Sequence, residues 1–504
     1  GEGVVAAAQL NAAAQRQYGI LAVLPLAPTD FARRTLSDVT TMAVLPYCDG
    51  DIGDQQGQKY IDDSRHAFDD NVLRSAVWVM GANHNFFNTV WTPGAYPAGG
   101  EDDWNNDDTT SACSTLDPTR LNAADQYQVG VTLMTGFFRS TLGAETQFSP
   151  LFDGTTAPTT DRIPFADIRV IATHARSQTT LVTDFVGTNA IILTEGNGDS
   201  EVCEGRQNNA DNPWCDDSPG GSMPHWNAAF LAPLVPLYPV YRFRWDDADT
   251  TALRVLVPDD QRDVSAREQL TLKVAPTRDV VLGTDFAIVL VDGSGAEFSV
   301  AASSLNPYAI NRMPGGAEQL DKTVLQQVTL PLGDVIGVDL TDLREVRIEA
   351  RTGADLTAHG GLFLSDLAFD SPSAGTPTVV RRSSVNMAMT RVEEGTQSWD
   401  ASVAVWLDRP ADEPVVAYVG AIPGPGAMYA PVQNFAQRVT FAPGETCLAV
   451  PVLITGNSDV SVDGVSVAVT AATTSQQGVS GASDFSAVLV REDDGVSGGA
   501  STPP

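Results

Sequence analysis

The sequence predicts a multidomain protein, with a partial α/β unit followed by two all-β sandwich units. Three observations predict it. The 504 residues exceed what a single hydrophobic core serves. Residues 1–148 alternate helix-like segments with continuous apolar runs, whereas short β-rich runs recur from residue 149 onward. The 43 glycines and 31 prolines supply the turns such strands need, and 43% hydrophobic with 18% charged residues is the balance of a folded chain.

Each element follows in order. GVVAAAQLNAAAQRQY is rich in alanine, the best helix former, and reads as a helix. ILAVLPL (Ile20–Leu26), TMAVLPY (Thr41–Tyr47) and SAVWVMG (Ser75–Gly81) are apolar without alternation, as parallel strands buried on both faces are. QQGQKYIDDSRHAF between the second and third reads as a helix, and Asn122–Leu142 as a closing helix with one apolar face. Strand–helix alternation implies a layered α/β unit with right-handed crossovers. Three strands are few for such a sheet, so further strands are expected ahead of Gly1. Residues 149–374 then carry ten short runs, from ADIRVIATH and TTLVTDF to GGLFLSDLAFD, the pattern of a β-sandwich or jelly roll. SPSAGTP is a linker. Residues 378–494 form a second β unit, and 495–504 a flexible tail.

The net charge of −33 sets the chain against nucleic acid and anionic membranes as partners, since both would be repelled. Lys59, Lys273 and Lys322 are the only lysines. An acidic, lysine-poor surface suits a salt-adapted organism, or equally a genome rich in Arg and Asp codons. The longest apolar stretch, starting at Ala228, is broken by prolines, so no membrane span is expected. Five cysteines are present. Cys203 and Cys215 bracket a polar loop and read as a disulfide, with Cys48–Cys113 as a second candidate. Disulfides imply an oxidising compartment, hence secretion or the cell surface.

Chemistry concentrates at two strand ends. YCDGD places Asp49 and Asp51 after the second strand, and GANHNFFN places His84 after the third. Sites in open α/β sheets form at the carboxyl edge. An acid and an imidazole on neighbouring strands there suit proton transfer, the acid fixing the ring so that its other nitrogen takes a hydroxyl proton. Asp49 is the first choice for the acid and Asp51 the second, although Asp-Gly is also ordinary turn chemistry. His66, His174, His225 and His359 lack such surroundings.

On YCDGD, GANHNFFN and the opening GEGVVAAAQLNAA, residues 1–148 resemble secreted α/β-hydrolases of the esterase, lipase and dienelactone-hydrolase kind. The opening looks like the remainder of a nucleophile elbow of the form G-H-S-R-G-G-E-G. The resemblance implies a serine two or three residues before Gly1, an ester substrate, no cofactor for catalysis, and a chain that by itself lacks nucleophile and oxyanion hole. GVSGG (Gly495–Gly499) matches G-x-S-x-G, but leads into a linker with no following helix.

Residues 149–374 resemble carbohydrate-binding or galactose-binding-like jelly rolls on the closing GGLFLSDLAFD. Trp214, Trp226, Tyr238, Tyr241 and Trp245 would stack on sugar, or else pack in the core. VEEG (392–395), VTFAPGE (439–445) and EDDG (492–495) resemble a Calx-beta domain. That resemblance implies Glu394, Asp493 and Asp494 as ligands of a structural calcium ion; the same acids also fit a spacer with solvated carboxylates. Two functions therefore stand. One is a secreted serine-type carboxylic-ester hydrolase with accessory β units. The other is a cell-surface adhesion or polysaccharide-binding protein with a degenerate hydrolase segment.

Overall fold

The computed structural model describes residues 1–13, 17–68, 70–90, 101–155, 163–186, 190–203, 239–277, 280, 284–315, 322–352, 359–372, 383–423, 431–459, 465–474, 479–481 and 486–494. The first unit holds α1 (Glu2–Ala13), β1 (Ala22–Val23), β2 (Thr40–Pro46), α2 (Gln58–Ala67), β3 (Arg74–Val79), α3 (Ala123–Gly143) and β4 (Ile168–Thr173). The sheet order is β1-β2-β3-β4, with the first three parallel and β4 antiparallel to β3. Side chains leave β2 and β3 toward two separate cores. Met42, Val44, Val77 and Val79 pack with Leu133 and Phe137 of α3. Ala43, Leu45, Ala76 and Trp78 pack with Ile61 of α2. Helices on both faces explain why these strands read as unbroken apolar runs. Asn122 caps α3, its side chain accepting from the Ala124 and Asp125 amides.

β4 corrects the sequence reading. ADIRVIATH was expected in the following β unit, yet it closes the first sheet, which therefore extends past residue 148. Nothing in a six-residue apolar strand tells which neighbour it will pair with; register is a tertiary property.

The second unit holds β5 (Thr179–Thr183), β6 (Ile191–Glu195), β7 (Gly198–Cys203), β8 (Val240–Trp245), β9 (Ala252–Leu256), β10 (Gln269–Pro276), β11 (Asp285–Asp292), β12 (Glu297–Ala301), β13 (Gln326–Pro331), β14 (Leu343–Arg351) and β15 (Gly360–Asp370), with a single helical turn after β12. One sheet runs β13-β10-β15-β8-β7, with β5 also on β15, and faces a second, β12-β11-β14-β9-β6. Leu270, Leu272, Val274, Ile288, Val346 and Leu364 meet between them. The opposite face of the first of these sheets is buried too, against the α/β unit. Gln327 accepts from the Ala172 amide at 2.8 Å, and Arg65 donates to Ser365 at 3.2 Å.

The third unit holds β16 (Ser383–Met387), β17 (Thr390–Glu393), β18 (Trp399–Leu407), β19 (Val415–Pro423), β20 (Phe435–Phe441), β21 (Cys447–Ile454), β22 (Val465–Thr473), β23 (Val479–Gly481) and β24 (Ser486–Arg491). Its sheets, β21-β18-β16-β23 and β17-β24-β22-β19-β20, enclose a core built on Val403, Val405, Val419, Phe441 and Val450. Across the described residues the chain is mostly β-sheet, with sandwich-like sheets in the second and third units. No helix among them is long and apolar enough to cross a membrane.

Candidate active site

The loops after β2 and β3 are tied together before any side chain acts. The Tyr47 amide donates to Val79 O at 3.0 Å and the Cys48 amide to Ala82 O at 2.8 Å. A Cys48–Cys113 disulfide, one of the two expected, anchors the acid loop to the segment before α3. Cys203 is also disulfide-bonded, while Cys215 lies outside the described residues. Cys447 is a free, exposed thiol.

On this frame the structure brings His84 and Asp49 together. Nδ1 of His84 lies 3.0 Å from Oδ2 and 3.2 Å from Oδ1 of Asp49. Asp49 is fully buried, and its Oδ1 also accepts from the Asp51 and Ile52 amides at 2.9 and 2.6 Å. Those bonds fix the carboxylate, which in turn fixes the ring. Asp51 takes a different place: its carboxylate is mostly exposed and stands 3.8 Å from Nε2, on the other side of the imidazole. The hydrogen bond that Nδ1 donates to Asp49 raises the His84 pKa above its usual 6.5; partial burial opposes it, and the charges of Asp49, Asp51 and Asp103 add to it.

Two further residues hold this geometry. Asp103 clamps both loops: Oδ1 accepts from the His84 amide at 2.9 Å, and Oδ2 accepts from the Gly50 amide at 2.6 Å and the Asp51 amide at 3.2 Å. A Cβ on Gly50 would sit 2.2 Å from the Asp103 carbonyl oxygen, so only glycine allows this approach. Burial pushes the Asp103 carboxyl up, with the Gly50 amide opposing and the Asp49 charge reinforcing. Gln126 of α3, also fully buried, pins the histidine loop from beneath, accepting from the Asn83 amide at 2.9 Å and donating to its carbonyl at 2.7 Å. Sequence reasoning missed both. Asp103 sits in the acidic run EDDWNNDD and looks like one more solvated charge, and Gln126 is an ordinary helix residue.

The start of α1 reaches the same rim. A Cβ on Gly1 would lie 2.3 Å from Cβ of Pro28 and 2.9 Å from Leu26 O, beyond the carboxyl end of β1. Glu2 fastens that first turn, accepting from Thr29 at 2.9 Å and pairing with Arg34 at 3.1 Å.

In the third unit, β17 and β24 run parallel with Glu393 opposite Arg491. Both chains therefore leave the sheet side by side, and oxygens of Glu394, Glu492 and Asp493 come within 4.8 Å of one another. Two of the three expected ligands thus converge with Glu492, a residue not anticipated. Asp494 sits beside this group; its Oδ2 is enclosed without a hydrogen bond, and burial together with Asp493, Glu492 and Asp459 pushes its carboxyl up.

Of the aromatic candidates for sugar stacking, Trp245 is buried in the sandwich core and Tyr241 packs against it. Trp214, Trp226 and Tyr238 lie outside the described residues, as does the GVSGG segment.

No protein-family model matches this sequence, and no curated protein matches it. Among solved structures, the apo form of the Calx CBD1 domain is similar at 13% identity and a TM-score of 0.20, over 22% of this chain and 99% of that one. A family 11 carbohydrate-binding module from Clostridium thermocellum, in complex with a mixed-linked tetrasaccharide, is similar at 8% identity and a TM-score of 0.23, over 38% of this chain and 96% of that one. A β-1,2-glucanase from Parabacteroides distasonis is similar at 10% identity and a TM-score of 0.25; the match covers 60% of this chain and 36% of the glucanase.

Proposed function

We propose that the first unit carries the base side of a serine-type carboxylic-ester hydrolase, secreted and furnished with β accessory units. The observation that carries this reading is a buried carboxylate held 3.0 Å from Nδ1 of a half-buried imidazole, beyond the carboxyl ends of the parallel strands β2 and β3. Asp49 keeps the proton on Nδ1, leaving Nε2 as the base. A serine hydroxyl attacks the ester carbonyl while its proton passes to His84 Nε2. The imidazolium returns that proton to the departing alcohol. Water then repeats the sequence on the acyl-enzyme, restoring the serine. The Asp49 carboxylate compensates the charge on the ring. The resemblance to α/β-hydrolases puts the serine next to the first turn of α1, which lies beyond the carboxyl end of β1 and favours developing negative charge. The Cys48–Cys113 disulfide supports an oxidising, extracellular setting.

The test uses the full gene product. Hydrolysis of short p-nitrophenyl esters is expected, with a fall of about 10²–10⁴-fold in kcat/KM in His84→Ala. Full activity in that variant, or no serine labelled by a fluorophosphonate, defeats the reading.

In the third unit, Glu394, Glu492 and Asp493 would hold a calcium ion, with Asp494 beside them. The enclosed Asp494 oxygen and the mutual proximity of the carboxylates fit a hard cation taking oxygen ligands. Such an ion would brace the ends of β17 and β24. The competing view, a purely adhesive glycan-binding protein, draws no support from Tyr241 and Trp245, which pack in or against the core.

A further inference from the structure

The acid loop rests on a floor that the second unit supplies. Tyr47 Oη donates to Pro314 O at 2.6 Å, across 267 residues of sequence. The Ala112 amide, next to the disulfide, donates to Gly315 O at 3.0 Å. Met313 and Val324 join the apolar cluster of Tyr47, Cys48, Trp78 and Cys113. Arg169 of β4 holds the same segment, its guanidinium 4.1 Å over the Tyr308 ring.

Lys322 enters through this floor. Its Nζ lies 4.4 Å over the Tyr47 ring and donates to Tyr47 O at 3.5 Å, two residues before Asp49. It is 2% exposed. Burial draws its pKa down to about 7, and Asp49 and Asp54 are the carboxylates that oppose the fall. Only three of the 30 basic residues in this chain are lysines.

We propose that Lys322 is a positioning residue of the Asp49–His84 pair, a cation contributed by the β-sandwich that holds the Tyr47 carbonyl and sets the field on the Asp49 carboxylate. The inference rests on the reading of His84 as general base. The charges of Asp49, Asp51 and Asp103 all favour the protonated form of the imidazole, in which it cannot accept a proton from a nucleophile. While Lys322 carries its proton, its positive charge behind Asp49 offsets part of that pull and lowers the pH at which the imidazole is freed. The charge of Arg169 also acts on Tyr47, but Arg169 stacks on Tyr308 and pairs with Asp167 at 2.9 Å.

The test compares wild type, Lys322→Met and Lys322→Arg in the full gene product. Methionine matches lysine in length and enters a cluster that already holds Met313. The midpoint of the His84 imidazole titration, read by NMR, is expected to move up in Lys322→Met and to return toward wild type in Lys322→Arg. The acidic limb of kcat/KM for a p-nitrophenyl ester moves with it, so that kcat/KM at pH 7 falls roughly tenfold for each unit of movement. If Lys322→Met does not fold, Lys322→Gln is read the same way. Identical His84 titration in the charge-removing variant and wild type overturns the proposal. A shifted titration in a protein that hydrolyses no ester upholds the positioning role and defeats only the hydrolase reading.

Discussion

At the scale of single residues, the site is an argument about who holds whom. Asp49 fixes His84, and Asp103 fixes the loops that carry both. The two acids should therefore fail differently. Asp49→Asn removes the charge that stabilises imidazolium, and a loss of roughly 10³–10⁴-fold in kcat is expected with little change in KM. Asp103→Asn keeps one acceptor and loses charge-assisted bonds to several amides. Thermal or urea unfolding should show a loss of about 1–3 kcal/mol, with a smaller loss of activity. Asp49, Asp51 and His84 were legible in the sequence because an acid and a histidine each followed an unbroken apolar run. Asp103 and Lys322 were not, because their partners are remote: Asp103 bonds loops whose proximity only the sheet creates, and Lys322 meets a tyrosine 275 residues away.

At the scale of elements, β2 and β3 were readable as unbroken apolar runs because both their faces are buried, and α3 from the helical spacing of its one apolar face. The short strands β16, β17 and β23 were not; three to five residues leave no period to detect. β4 was readable as a strand and misassigned as to sheet, since its partner lies outside its own sequence. Two predictions belong here. The Cys48–Cys113 bridge closes a span of 65 residues, so a Cys48→Ser, Cys113→Ser protein should lose about 4 kcal/mol by loop-closure entropy, read by denaturant unfolding. Lys322 is held near pKa 7 against its ordinary 10.5. The unfolded chain binds that proton between those values and the folded protein does not, so this group's contribution to stability rises with pH across the window. Lys322→Met should therefore melt higher than wild type below pH 7, with the difference vanishing above pH 10. Such a gain in Tm alongside a loss of activity would separate a functional lysine from a structural one.

At the scale of the whole molecule, the chain is a strongly acidic protein whose three lysines are all buried. Its first sandwich packs one sheet face on the α/β unit, so the two are expected to unfold together rather than as independent modules. The third unit should respond to calcium instead. Calorimetry at saturating calcium is expected to raise its transition, and Glu394→Gln to abolish the rise. Everything proposed for the first unit depends on a buried Asp49 holding the His84 ring by Nδ1 and keeping its proton affinity high. Titrating the five histidines by NMR, with the His84 signal identified by its loss in His84→Ala, tests that directly. A His84 midpoint above 6.5 is expected in wild type, falling in Asp49→Asn. A midpoint at or below 6.5, indifferent to Asp49→Asn, would contradict it.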